Sequence, residues 1–397
     1  MRSWKFVALK GAFTLALGVL APDPGWAQRS VTYQITPSHT GAVEFPLGFE
    51  LPLRKVWSRD FGGLENVSYP VAAGKRVFVT TGDNRQTTYG TNLYALDAST
   101  GQILWKKRII GIYFWSALAY DRGRLFVINV DGLLRALDPE SGSELWVTQL
   151  PFLTLFSAPP VARGGIVYLS GSRSGGALFA VNGIDGTIMW WKPVETANKS
   201  SPTLSSDGIF VSYPCGAYQF DAVTGEQRWK YVGPCNGFGE LATAYYADRV
   251  YARDIDVGNA KPLRIYGGLD GTRIGTISEG LLTPAFRGGN GFFVGTEGLA
   301  ARSVVSGRLL WTFNEAGRPA LPPIVINGKV LVASSAGKLF VLDEKSGQIL
   351  QRIPLGRPIP ISDEGALRPL PGLGVNGGTV LVPAGTKLFA FKGARSH

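Results

Sequence analysis

One fourteen-residue pattern constrains this chain more than anything else in it. At Leu93 to Lys106 it reads LYALDASTGQILWK. A short apolar run carries an aromatic, Asp97 opens a turn, Gly101 closes it, and a second run places Ile103 and Trp105 on one face. The Asp carboxylate can accept backbone N–H groups just ahead of it, and glycine takes a left-handed φ without steric cost. The pattern therefore predicts a β-hairpin with a five-residue turn. It recurs from Leu134, Leu178, Ala217, Leu299 and Leu339, with a weaker copy from Leu263. The turn glycines are Gly101, Gly142, Gly186, Gly225, Gly271, Gly307 and Gly347, spaced by 41, 44, 39, 46, 36 and 40 residues. A β-type unit every 40 residues or so is the signature of propeller blades of four strands.

Each hairpin follows a two-strand unit such as YPVAAGKRVFVTTG (Tyr69 to Gly82) or LPPIVINGKVLVASS (Leu321 to Ser335). Eight such units are present, and the eighth stops after LFAF at Leu388 to Phe391, one strand short. The missing strand is at the other end. Arg54 to Phe61 carries Trp57 in the right pattern and has no hairpin before it. The expectation is all-β: an eight-bladed β-propeller of four-stranded blades, with the N-terminal strand completing the C-terminal blade and removing the ring's open edge.

Four residues after each turn glycine stand Trp105, Trp146, Trp190, Trp229, Gly275, Trp311 and Gln351. With Trp57, these tryptophans are read as structural, filling the space where neighbouring blades splay apart. The motif A-L-D-x-x-(T/S)-G-x-x-x-W resembles the quinoprotein-type, or PQQ-like, propeller repeat, and the resemblance covers about Arg54 to Lys392. It implies the fold strongly and the function weakly, because the repeat serves both quinone-dependent dehydrogenases and non-catalytic scaffolds. In length, blade number and repeat, the chain is also similar to the lipoprotein propeller of the bacterial outer-membrane barrel-assembly machinery. It departs from that pattern in having no cysteine before Cys215 to carry a lipid. The dehydrogenases of the repeat family are usually longer, and the resemblance implies a quinone held between a tryptophan and a disulfide of adjacent cysteines, beside calcium and a catalytic aspartate. Adjacent cysteines are missing here.

Residues 1–27 read as a cleaved signal peptide. Arg2 and Lys5 precede the apolar run Gly11 to Ala21, and Gly25 and Ala27 are small residues before a cut at Gln28. The run is too short to span a bilayer, and no later stretch is long enough. Residues 28–53 form a lead-in without repeat character, expected to lie against the propeller surface or to be partly disordered. Residues 54–393 are the propeller. Removing the leader, which holds three basic residues and one acidic one, lowers the formal charge from +11 to +9. No extended run of Lys or Arg exists, so nucleic acid is not expected.

In a four-stranded blade, the second-to-third-strand loops and the links between blades share one end of the ring. Cys215 and Cys235 both fall there, and in an exported chain they are expected to form a disulfide. The same end carries the candidate binding face: Arg85 in the loop Gly82 to Asn92, Tyr113, Phe114 and Trp115 in one link, Phe152 and Phe156 in the next, and Arg253 and Lys261 in the loop Arg253 to Pro262. Packing of these aromatics beneath the next blade is the competing reading. Only His39 and His397 are present, which argues against histidine-ligated metal and a Ser-His-Asp triad. Asp254 and Asp256 are read as solvated rather than as calcium ligands. The sequence thus points to an exported, periplasmic or secreted, monomeric scaffold that binds a protein or another envelope component. It implies no catalytic residues, metal or cofactor. The alternative is a dehydrogenase binding pyrroloquinoline quinone with calcium on the loop face.

Overall fold

The structure is a computed structural model. It describes residues 28–393 apart from 64–65, 83–88, 152–154, 173–174, 196–199, 214–215, 234–240, 254–261 and 316. Residues 1–27, expected to be a cleaved signal peptide, therefore lie outside the described residues.

The strands form eight sheets around a ring, each with four antiparallel strands. Blade one is Val71–Ala73, Arg76–Gly82, Gly90–Asp97 and Ile103–Ile110. The first three strands of each blade are short runs of β-branched, aromatic and small residues, almost wholly buried. The outermost strand alternates between exposed and half-buried positions, as in Ile103–Ile110 and Gln227–Val232. The ring closes as its termini require. Leu53–Asp60 pairs antiparallel with Lys387–Gly393, from Leu53 opposite Gly393 to Asp60 opposite Lys387, and becomes the outer strand of blade eight.

The repeated turn works through its aspartate. Asp97 Oδ1 accepts the N–H groups of Ser99 and Thr100 and both their hydroxyls. These bonds hold its carboxyl below the ordinary value. Gly101, at φ 69°, lies under the indole of Trp57 from the preceding blade. The same relation joins Trp105 to Gly142, Trp146 to Gly186, Trp190 to Gly225, Trp229 to Gly271 and Trp311 to Gly347. Five of these indoles also donate Nε1–H to a carbonyl of that turn: Trp57 to Ala98, Trp105 to Pro139, Trp146 to Gly183, Trp229 to Gly268 and Trp311 to Glu344. At Trp190 the equivalent carbonyl, Ala222, accepts the Tyr168 hydroxyl instead.

Two seams depart from this rule. Gln351 faces the closure, where blade eight has no such turn because its outer strand comes from the other end of the chain. Its amide brackets Leu53, accepting from the backbone N–H at 2.7 Å and donating to the carbonyl at 2.9 Å. Gly275 leaves the seam between blades five and six without an indole, and neither Gly275 nor Gly307 opposite has anything within 4 Å of a Cβ position.

The lead-in overturns its expectation. Its first part, 29–43, lies inside the ring, with Ser30 to Gln34 buried, whereas Pro46, Leu47 and Gly48 beyond it are exposed. It circles the axis and bonds in turn to every blade: Ser30 N–H to Val375 O, Ala72 N–H to Ser30 O, Tyr120 N–H to Val31 O, and Thr32 Oγ1 to Pro160 O. Then Leu204 N–H donates to Pro37 O, Tyr245 N–H to Ser38 O, Phe286 N–H to Thr40 O and Val325 N–H to Gly41 O. Ala42–Val43 ends the circuit as a parallel fifth strand beside Ile324–Ile326. In seven of the blades the backbone bond falls one or two residues before the turn joining the first and second strands. The segment therefore closes the end of the axis opposite the loops. Its residues are buried because inner strands leave backbone groups that need partners.

Candidate functional site

Two places compete as the functional site: the axis and the loop end. The long link between blades seven and eight, 355–373, folds over the loop end of the axis. Ser362 N–H bonds to Ala320 O and Tyr69 N–H to Leu370 O. This link carries Glu364, which is buried. The Glu364 carboxylate forms a salt bridge with the fully buried Arg253 at the end of the second strand of blade five. It also accepts Ala242 N–H at 2.8 Å, Thr283 Oγ1 at 2.9 Å and the Tyr33 hydroxyl at 3.1 Å. Burial alone would raise its pKa, but the charge and hydrogen bonds of Arg253, with those of Ala242 and Thr283, outweigh it and hold the carboxyl below the ordinary value. Burial, then the charge of Glu364, pushes the Tyr33 phenol well up. Beside Tyr33 stands His39, also fully buried. Its Nδ1 lies 2.7 Å from Thr243 O, and burial lowers its pKa to about 4. The axis is thus packed by a neutral imidazole, a neutral phenol and one internally compensated ion pair.

This packing bears on the cofactor of the repeat family. A quinone on the axis would need the space taken by Tyr33, Glu364 and Arg253. The indoles of the repeat stand in the blade seams, Trp105, Trp146 and Trp229 bonded to neighbouring turns, whereas Trp115 is buried in one core cluster with Tyr33 and Tyr69. The described residues hold no pair of adjacent cysteines on which it could rest. Among them, no group of three or more His, Cys, Asp or Glu is placed to hold a metal ion; Asp254 and Asp256 lie outside the described residues.

The loop end divides the candidate binding face. Trp115 and Phe156 turn inward and are buried. Phe156 packs on Phe179 and over Gly132 and Gly171, whose missing Cβ atoms make room for its ring. Arg253 is spent on Glu364. These three residues do not reach the surface, because each precedes or ends a buried strand. Tyr113 remains exposed and Phe114 half-buried. Tyr89, from the second-to-third-strand loop of blade one, joins them with ring centroids 6.2 Å and 5.1 Å away. Ile110 and Ile112 extend the patch, at 64% and 48% exposure. Asn129 fixes the link by donating Nδ2–H to Ile110 O at 2.6 Å. Arg85, Phe152, Lys261, Cys215 and Cys235 lie outside the described residues. Sequence reasoning missed Glu364 and Tyr89. A lone Asp-Glu pair inside a proline-rich link, and one aromatic inside a polar loop, were the available signals.

Fold and site define an eight-bladed propeller of quinoprotein-type repeats, its seams docked by indoles and its axis packed with side chains. The chain belongs to the family described as outer membrane protein assembly factor BamB, whose model matches residues 54–173 and 131–352. It is 31% identical over 129 residues to the outer membrane protein assembly factor BamB of Yersinia pestis, covering 32% of this chain and 31% of that protein. It is 24% identical over 302 residues to the dehydrogenase subunit of a quinone alcohol dehydrogenase from Gluconacetobacter polyoxogenes, covering 66% of this chain and 37% of that one. The matches thus span about a third of each relative's length. Among solved structures, BamB from Moraxella catarrhalis superposes with a TM-score of 0.64 at 16% identity, over 86% of this chain and all of that one, a likeness of fold.

Proposed function

We propose that this protein is a non-catalytic scaffold of the cell envelope that takes part in the assembly of outer-membrane proteins. It docks a protein partner on the apolar patch of Tyr89, Ile110, Ile112, Tyr113 and Phe114. The observation that carries the reading is the packed axis. Where a propeller enzyme needs a cavity with convergent polar groups, the described residues of this chain place buried hydrogen-bonded side chains. Family membership supports the same reading, as does an exposed aromatic cluster on a rigid frame, the kind of surface that marks protein recognition. Export by the leader, a Cys215–Cys235 disulfide and a monomeric ring belong to this proposal. The relation to quinone dehydrogenases keeps a cofactor-binding enzyme as the second reading.

The test is complementation in the protein's own host. Deleting the gene should lower the level of folded outer-membrane barrel proteins. The wild-type chain should restore it, and a Tyr89→Ser/Tyr113→Ser/Ile112→Ser variant of unchanged melting temperature should not. Full restoration by that variant would remove the patch from the mechanism. Calorimetric titration with pyrroloquinoline quinone and calcium separates the second reading: one-to-one micromolar binding would favour the enzyme over the scaffold.

A further inference from the structure

We infer that the seam between blades five and six is a second binding site, which accepts a tryptophan side chain from a partner protein. The chain itself shows what this place holds. In six seams an indole from the outer strand of one blade lies over the turn glycine of the next. In five of these it donates to the carbonyl of the residue just after the one that opens that turn. Of the two remaining seams, the one at Gln351 is accounted for by ring closure. Only the blade five to six seam keeps the turn glycine, Gly307 at φ 69°, while lacking the indole.

The space has not collapsed. A cleft of about 370 Å³ runs between Gly275 and Gly307. The buried rings of Tyr251 and Phe293 line its wall, and Ile274 and Val305, at 50% and 80% exposure, form its rim. The carbonyl in register with the indole acceptors of the other seams is that of Val304. Arg302 also lines the cleft, donating to Gly307 O and paired with Glu279. A guanidinium there adds attraction for an aromatic face. Arg249, whose side chain interacts with Tyr251 and which forms no ion pair among the described residues, leaves the lining with an excess of positive charge. The complementary occupant is a tryptophan on an extended segment with a carboxylate beside it. An aromatic side chain buries about 150–250 Å² in such a place, enough to anchor a flexible segment and too little to make a stable interface alone.

This site lies on the side of the ring and owes nothing to the loop-end patch. The experiment is ligand-observed NMR on the mature protein with three probes: N-acetyl-tryptophanamide, acetyl-Asp-Trp-Gly-amide and acetyl-Asp-Ala-Gly-amide. Saturable binding of the Asp-Trp peptide, and none of the Asp-Ala peptide, is expected. Gly275→Trp, which supplies the missing indole, should weaken the Asp-Trp peptide at least tenfold, about 1.4 kcal/mol. Should Gly275→Trp fail to fold, Arg249→Glu decides: it should weaken the Asp-Trp peptide at least threefold and leave N-acetyl-tryptophanamide unchanged. Tyr113→Ser should change neither, which separates this site from the proposed scaffold face. No saturable binding at millimolar concentration, or equal binding to wild type and a folded Gly275→Trp, would overturn the inference. N-acetyl-tryptophanamide binding as tightly as the peptide would make this a small-molecule indole site and refute the protein partner.

Discussion

Gly347 and Gly307 offer a controlled comparison within one molecule. Both close the same turn, at φ 71° and 69°. Replacing either with alanine puts an L-residue into the left-handed region, which costs about 1–2 kcal/mol. The seams then separate them. At Gly347 an added Cβ would stand 2.6 Å from Trp311 Cε3 and 2.7 Å from Cδ2. The indole must move, and its 2.9 Å bond to Glu344 O moves with it; such overpacking costs about 1–3 kcal/mol. At Gly307 nothing lies within 4 Å. Gly347→Ala should therefore destabilise by about 2–5 kcal/mol and Gly307→Ala by about 1–2 kcal/mol. Urea midpoints at matched slope are the assay, because an eight-bladed ring can unfold in stages and an extrapolated free energy would mix them. Trp311→Leu should shrink the difference between the two alanine variants. Equal midpoints for Gly347→Ala and Gly307→Ala, or a larger loss at Gly307, would refute indole docking as the reason for the turn geometry shared by the repeats.

The axial ion pair and the buried histidine give two further tests. Glu364→Gln leaves Arg253 buried without its counter-charge and should cost about 3–5 kcal/mol, whereas Arg253→Met/Glu364→Leu should lose much less than the two single changes together; additive urea midpoints would count against a coupled pair. His39 has a folded pKa of about 4 against 6.5 unfolded, so the unfolded chain binds the proton first. Its contribution is complete above about pH 6.5 and is lost as pH falls towards 4, up to about 3 kcal/mol. Glu364, also depressed, loses its share lower still, as pH drops from the unfolded carboxylate range through its folded value. Melting temperatures between pH 7.5 and 4.5 should fall more steeply for wild type than for His39→Gln; parallel curves would refute the assignment.

What was legible in the sequence was what repeats. The Asp-Gly turn and the indole four residues later are local, and seven copies correct one another. Closure by Arg54 to Phe61 was legible because Trp57 carries the same mark. The lead-in was not, since its burial depends on backbone groups of eight strands far away in sequence, and no residue of its own announces them. The loop end failed in a different way. Trp115, Phe156 and Tyr113 are alike as aromatics, and only the register of the following strand decides which ring turns under a blade. Arg253 reads in the sequence as an exposed charge because its partner, Glu364, lies 111 residues away in a link outside the repeat.

The thread of residues inside the ring also bears on how such a chain can change over time. Arrays of stacked units gain or lose a member easily, because each unit meets only its neighbours. Here Ser30 to Gly41 gives every blade its own bond in strict rotation. Duplicating or deleting one blade would leave that circuit too short or too long by a step, with an inner strand unsatisfied or a buried stretch of backbone unplaced. The segment is a gauge of circumference, and it locks the copy number at eight more firmly than the outer closure does.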